Sequence, residues 1–405
     1  RDYVLDLDEK NELYLGGESL GMCGREPLSV IWHSAEADAL REKIRTRGSG
    51  KRCCVINFVC AFPPDETPGA NSTQEKPAIP IPVQVRSPRF SVIELTRRCP
   101  LRCQMCYNWQ AGADAPELPL YDVMRYVTQL ATFVTRPFEI NLAGGEPLLY
   151  EGIFELIHHI VSYGFTVSLT TSGYLLTPDI IERIRSSGLT LMPISLDTLC
   201  EEKHDALRGR PGTFRAVMRA FDLLLADKGH LRNLTIQTIL MQPTLYDVIP
   251  LIQWAHERGI AVSLMALMRP NGIPIDPHWY QKKPYASLWP QNHDEINAVL
   301  DAIIQLKDKG YQIDNCRAQL NAFKEYFKNP TVFIKHGPCS LGNGIINVAP
   351  DGHVFLCWEQ GAVGTLADGS IQSLWQGKKA AEVRRAILTC TRNCSEMVNC
   401  FFEAE

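Results

Sequence analysis

Three cysteines, Cys99-x3-Cys103-x2-Cys106, sit directly after the apolar run Phe90-Ser-Val-Ile-Glu-Leu95, and few folds can make use of such a group. Three thiolates in one short loop at a strand end form a claw. A cubane cluster of four irons and four sulfides normally takes four thiolates. Three leave one iron open to a small molecule. Zinc is the competing reading, but zinc sites favour paired C-x2-C units with a matching second pair nearby. No cysteine follows Cys106 until Cys200, so the spacing points to a cluster with an open iron.

A second motif lies at the next strand end. Phe138-Glu-Ile-Asn-Leu142 reads as a buried strand and runs into Ala143-Gly144-Gly145-Glu146-Pro147. Two glycines let a backbone approach a ligand closely, and the Glu146 carboxylate can accept from an ammonium group. A lone Gly-Gly-Glu-Pro would be only a turn. Paired with the claw, it resembles the radical S-adenosylmethionine superfamily over roughly residues 90–402. That resemblance implies catalytic roles for Cys99, Cys103 and Cys106, whose open iron chelates the amino and carboxylate groups of S-adenosylmethionine. It implies cofactor contacts at Gly144, Gly145, Glu146 and Pro147. Where the family is usually aromatic, before the last cysteine, this chain has Met105, and Tyr107 follows as the cofactor-contact candidate.

Strand and helix patterns alternate from residue 90 to about 266. Strands are expected at Ser91–Leu95, Phe138–Leu142, Thr166–Thr170, Thr190–Ser195, Leu234–Ile239 and Ala261–Ala266. Amphipathic helices are expected at Leu120–Phe133, Glu151–Tyr163, Pro178–Ser186, Phe214–Ala226 and Tyr246–Arg258. Such alternation makes a parallel sheet, and six units make an α/β fold, a partial (β/α)6 TIM-like barrel, with ligands at the carboxyl ends of the strands. Ser195-Leu-Asp197 ends the fourth strand and Arg208 follows. The resemblance implies that Ser195 and Arg208 bind the cofactor carboxylate, for which an Arg fork is suited. The alternative for Arg208 is a surface pair with Asp205. Thr170-Thr171-Ser172-Gly173 is a weaker ribose-binding candidate. Pro270–Pro290, rich in Pro and aromatics, reads as a loop over the barrel mouth or a self-packed crossover. A helix, His293–Lys309, and a strand-like Tyr311–Asp314 follow.

Beyond the barrel, Cys339 precedes a hairpin with a Pro-Asp-Gly turn that ends at Cys357, and a helical stretch Ile371–Ile387 leads to Cys390, Cys394 and Cys400. This resembles the SPASM and twitch auxiliary-cluster extensions. The resemblance implies one auxiliary 4Fe–4S cluster held by Cys339, Cys357 and two of Cys390, Cys394 and Cys400. A zinc ribbon on the same thiolates is the alternative. Residues 1–62 align with 346–402: Trp32 precedes Arg41 as Trp375 precedes Arg384, and Cys54-x5-Cys60 matches Cys394-x5-Cys400. A hairpin Tyr3–Leu15 matches Ile346–Leu356, but Gly16 stands where Cys357 would be. Residues 1–62 therefore read as a degenerate copy of the auxiliary module, for docking or capping, with a third cluster on Cys23, Cys53, Cys54 and Cys60 left open. The expected layout is 1–62 module, 63–89 Pro-rich linker, 90–320 barrel and 321–405 auxiliary domain.

Composition limits the partners. A net charge of −4 over 405 residues argues against a general nucleic-acid or anionic-membrane binder. No run of 18 apolar residues occurs, and Arg1-Asp-Tyr-Val does not read as a signal peptide. Fourteen cysteines, clustered at short spacings, favour metal ligation in a reducing cytoplasm over disulfides. The resemblance implies reductive cleavage of S-adenosylmethionine and hydrogen abstraction by the 5′-deoxyadenosyl radical, with an electron donor such as flavodoxin or ferredoxin. A ribosomally made precursor peptide is the expected substrate. A small metabolite (sugar, nucleoside or tetrapyrrole precursor) is the alternative, and an iron–sulfur redox sensor the non-enzymatic one.

Overall fold

The computed structural model describes residues 87–106, 108–109, 115–226, 233–269, 276–334, 339 and 341–400, plus the backbone of three amino-terminal strands. The side chains of residues 233 and 400 lie outside that set. The chain divides into two compact units, Arg1–Arg52 and Cys53–Glu405.

In the first unit, β1 (Leu5–Leu7) pairs antiparallel with β2 (Glu12–Leu15) in the register Leu5↔Leu15, as a hairpin over Tyr3–Leu15 requires. A further strand, β3 (Glu18–Met22), pairs with β2. The remaining features of the proposed repeat, Trp32, Arg41, Cys23, Cys53, Cys54 and Cys60, and the linker through residue 86, lie outside the described residues.

The second unit holds six parallel strands in sequence order: β4 (Phe90–Thr96), β5 (Glu139–Gly144), β6 (Thr166–Leu169), β7 (Leu191–Ser195), β8 (Asn233–Leu240) and β9 (Ala261–Ala266). Between them run α1 (Leu120–Ala131), α2 (Ile153–Ser162), α3 (Pro178–Ser187), α4 (Glu201–Arg208), α5 (Thr213–Ala226) and α6 (Val248–Glu257). Glu139–Leu142 and Leu191–Ile194 are buried throughout, as strands covered on both faces must be. Helix α1 turns Val123, Tyr126, Val127 and Leu130 inward, a single stripe at helical spacing. Helix α3 starts where Thr177 Oγ1 accepts from the Ile180 N–H, with Pro178 at its first position. These elements match the expected partial barrel, each expected end falling within a few residues. Helix α4 was absent from the expected pattern.

A six-stranded barrel is open, and its β9 edge must satisfy its backbone groups elsewhere. Three residues of β9 do so by three devices. The Val262 N–H donates to Gln312 O at 2.8 Å and its carbonyl accepts from the Asp314 N–H at 2.9 Å; this is the expected strand-like Tyr311–Asp314, reduced to a single bridge. Leu264 exchanges both bonds with the Asn315 side-chain amide, each at 2.8 Å. Ala266 does the same with Asn399, at 2.7 and 3.2 Å. Two asparagine amides thus imitate the next strand.

On the opposite edge, the carboxyl-terminal hairpin joins the sheet. Strand β10 (Ile345–Val348) pairs parallel to β4, then antiparallel to β11 (His353–Phe355), which pairs with β12 (Gly364–Thr365). Between β9 and β10 come α7 (His293–Asp308) and an unexpected α8 (Arg317–Lys328). The expected helix Ile371–Ile387 is two: α9 (Ile371–Gln376) and α10 (Lys378–Leu388). Gly377 separates them with ψ 165°, and a Cβ there would lie 2.9 Å from Ser373 O, so the chain bends where only glycine fits. Helix α11 (Ser395–Cys400) closes the described chain.

Candidate active site

The claw hangs from the end of β4. Its loop is pinned to the end of α4, since the Arg102 N–H donates to Arg208 O at 3.1 Å and the Gln104 N–H to Leu207 O at 2.9 Å. The Trp109 indole N–H donates to Cys103 O at 3.0 Å. Cys99, Cys103 and Cys106 open together onto a cavity of about 320 Å3 at the carboxyl ends of the strands, as the barrel geometry requires. Burial pushes the Cys99 thiol up to about 12 and raises Cys103 and Cys106 as well. Buried soft sulfur donors suit an iron–sulfur group, whose charge displaces the protons. Met105, buried, shares the cavity wall; Tyr107 lies outside the described residues.

Gly144 and Gly145 line the same cavity, but their immediate neighbour is the strand that bears the claw. A Cβ on Gly144, at φ +129°, would meet Thr96 O at 2.4 Å, and one on Gly145 would meet Arg98 O at 2.4 Å. The Gly145 N–H donates to Thr96 O at 2.7 Å and the Glu146 N–H to Arg98 O at 2.9 Å. The glycines therefore let two strand-end loops close on each other. Pro147 begins a short 3-10 turn just behind.

Glu146 has partners of its own within the protein. Its carboxylate is fully buried, with Oε1 accepting from Thr171 Oγ1 at 2.8 Å and Oε2 accepting from the Ser172 N–H at 2.9 Å and Ser172 Oγ at 2.5 Å. Burial raises its pKa and these donors oppose the rise. These bonds staple the β5 loop to the β6 loop. The same bonds occupy Thr171 and Ser172, the weak ribose candidates, while Thr170 Oγ1 accepts from Asn141 at 3.1 Å.

Ser195 and Arg208 both reach the cavity. Arg208 does not pair with Asp205: its Nε donates to Asp197 Oδ2 at 2.8 Å, out of solvent. Burial opposes the Arg208 charge, but the Asp197 carboxylate and the Cys103 sulfur outweigh it and raise the pKa. Asp205 instead caps the start of α5, accepting from the Gly212 N–H at 2.6 Å and the Phe214 N–H at 2.7 Å. His204 is buried against this pair; burial pulls it down to about 4, and its Nδ1 accepts from the Asp197 N–H at 3.3 Å. Asp197 was legible only as a polar residue two places after Ser195, just past the strand end.

The rest of the cavity wall was not anticipated. Gln237, Met265, Met268 and Arg269 come from β8 and the end of β9, and Ser395 and Asn399 from α11. A second, enclosed space is lined by Cys339, Cys357, Cys390 and Cys394, with Glu359 and Arg392. These are four of the five expected auxiliary cysteines; the Cys400 side chain lies outside the described residues. Burial pushes the Cys357 thiol up to about 12 and raises Cys394. Among the described residues no three His, Cys, Asp or Glu converge as one metal ion would need. Four soft sulfur donors around one space suit a 4Fe–4S cluster, and they would also suit zinc.

Deep in the barrel, Ser168 Oγ donates to Glu139 Oε1 at 2.8 Å, and burial pushes the Glu139 carboxyl up to about 7. Between pH 4.5, the ordinary value, and 7 the folded chain holds a proton that the unfolded chain releases, so stability falls as pH rises through this window. Glu139→Gln should remove that loss, gaining about 3 kcal/mol at most over wild type at pH 8 and nothing at pH 4. Unfolding midpoints at the two pH values check it; an equal change at both would show a packing effect. Glu94, also raised to about 7 by burial, keeps some of the slope in both proteins.

A parallel partial barrel with three thiols at its mouth, and four thiols around a second space, presents the donor sets of an iron–sulfur protein. Sequence comparison agrees. The family model for the radical SAM superfamily matches residues 93–247, and that for SPASM, an iron–sulfur cluster-binding domain, matches residues 339–400. The chain therefore carries a radical SAM domain and a SPASM domain. The AdoMet-dependent heme synthase of Methanosarcina barkeri is 30% identical over 188 residues, 46% of this chain and 52% of that one, so the match spans about half of that relative. The mycofactocin maturase MftC of Mycolicibacterium smegmatis is 24% identical over 288 residues, 70% of this chain and 69% of that one. Streptococcus suis SuiB, solved bound to the precursor peptide SuiA, superposes with a TM-score of 0.56 at 13% identity, over 95% of this chain and 89% of that one, which is a likeness of fold. Among the described residues no helix is long and apolar enough to cross a membrane.

Proposed function

We propose that this enzyme cleaves S-adenosylmethionine reductively and uses the 5′-deoxyadenosyl radical to abstract hydrogen from a ribosomally made precursor peptide. The observation that carries the peptide reading is the reach of the mycofactocin maturase match over 70% of the chain, where the heme synthase match covers 46%. In this reading Cys99, Cys103 and Cys106 hold a 4Fe–4S cluster, which supplies the electron for cleavage when bound. Arg208, steadied by Asp197, holds the cofactor carboxylate, with Ser195 beside it. With the Glu146 carboxylate occupied, backbone at Ala143–Gly145 takes the ammonium contact. Cys339, Cys357, Cys390 and Cys394 hold one auxiliary cluster, giving about eight irons per chain. Residues 1–62 form a related module that holds the peptide's leader, joined by a 63–89 linker to the barrel at 90–320, with the auxiliary domain at 321–405. The electron donor is a flavodoxin or ferredoxin.

The small-metabolite reading is favoured by one specific observation, the 30% identity to the heme synthase within the barrel. Mass spectrometry on anaerobically purified enzyme separates the two. A co-purified peptide that gains a new mass on incubation with S-adenosylmethionine and reductant supports the maturase. A co-purified tetrapyrrole, sugar or nucleoside that is consumed instead overturns it.

A further inference from the structure

The two cysteine-lined cavities meet at one buried ion pair. Arg269, three residues beyond β9, lines the barrel cavity, and Glu359, two residues beyond Cys357, lines the four-thiol cavity. Arg269 Nη2 lies 2.6 Å from Glu359 Oε2, with side chains 6% and 4% exposed. Glu359 Oε1 is also buried and has no hydrogen-bond partner in the described structure. A second carboxylate, on the half-buried Glu396, hydrogen-bonds Cys394 and feels both Glu359 and Arg269. Arg392 approaches Glu359 only to 3.8 Å and is 44% exposed, so solvent screens it.

Burying a carboxylate beside four sulfur donors costs free energy that a single packed apolar side chain would not. A buried charge at such a site acts on the electronic state of whatever the thiolates hold, because low polarity leaves it unscreened. We propose that Arg269 and Glu359 are positioning residues that set the reduction potential of the auxiliary cluster from the barrel side, with opposite signs. The proposal rests on Cys339, Cys357, Cys390 and Cys394 being that cluster's ligands. Reduction adds one negative charge: the Arg269 guanidinium favours it and the Glu359 carboxylate opposes it.

Potentiometric titration of the anaerobically reconstituted full chain, followed by electron paramagnetic resonance, tests this. Arg269→Gln should lower the auxiliary midpoint, changing the reduced-to-oxidised ratio at fixed potential roughly tenfold, about 59 mV for one electron. Glu359→Gln should shift it the other way, Arg269→Lys should keep the wild-type value, and the claw potential should move less than the auxiliary one under Glu359→Gln, since Glu359 lines the auxiliary cavity. Shifts of the same sign, no shift, or a Lys variant resembling Gln would overturn the proposal. If Arg269→Gln loses auxiliary iron, the Glu359→Gln and Arg269→Lys results still decide it. A wild-type chain showing only the claw signal overturns the ligand assignment as well; about eight irons with unmoved potentials overturn the pair alone.

Discussion

Changing Cys99, Cys103 and Cys106 together to Ala should remove about four irons per chain and abolish 5′-deoxyadenosine formation. The effect is total because no other thiol among the described residues opens on that cavity wall. The variant should stay folded. Its loop is held by backbone bonds from Arg102 and Gln104 to α4, which need no sulfur. Cys339, Cys357, Cys390 and Cys394 line a different cavity, so the remaining iron should stay there. Iron analysis and chromatography of the nucleoside product give the two readings. Residual cleavage of S-adenosylmethionine would mean that the claw is misassigned, and loss of all iron would mean that the two sites are not independent.

Asp197→Ala should cost about 3–5 kcal/mol, because it strands the Arg208 guanidinium without its buried partner. Asp197 is fully buried, and among the described residues Arg208 has only Asp197 and the claw sulfur Cys103 at hydrogen-bond range. Asp197→Leu combined with Arg208→Met should recover most of the lost stability, since paired apolar replacement of a buried ion pair is close to neutral. It should not recover S-adenosylmethionine binding if Arg208 holds the cofactor carboxylate as proposed. Thermal unfolding midpoints and equilibrium binding read the two effects separately. A double variant that binds the cofactor at wild-type affinity would remove Arg208 from the site. An unaltered midpoint for Asp197→Ala would show that water, not Asp197, carries the guanidinium charge.

Local patterns were enough for the barrel and its chemistry. The claw, the Gly-Gly-Glu-Pro turn and the alternation of period-2 and helical runs are each written in a few adjacent residues, because a strand or helix selects its side chains locally. Hence β9 falls at Ala261–Ala266 as expected, and Ser195 and Arg208 reach the same cavity as the claw. What sequence could not express is pairing across long separations. Asn315 and Asn399 look like ordinary polar residues until they are set against Leu264 and Ala266, where their amides close the open edge of the sheet. Glu146 shows no partner in the sequence, and the fold brings it Thr171 and Ser172, a strand away. Arg208 has two acidic candidates within reach along the chain, and only burial decides that Asp197 pairs with it while Asp205 caps a helix. The pair Arg269–Glu359 joins residues 90 apart, so it exists only once the auxiliary hairpin has added itself to the β4 edge and brought its thiols round to the barrel. Sequence alone thus determined the class of chemistry, through short motifs at strand ends. Tertiary structure decided which charges are paired and which cavities adjoin, because a buried charge must find its partner wherever the fold places it.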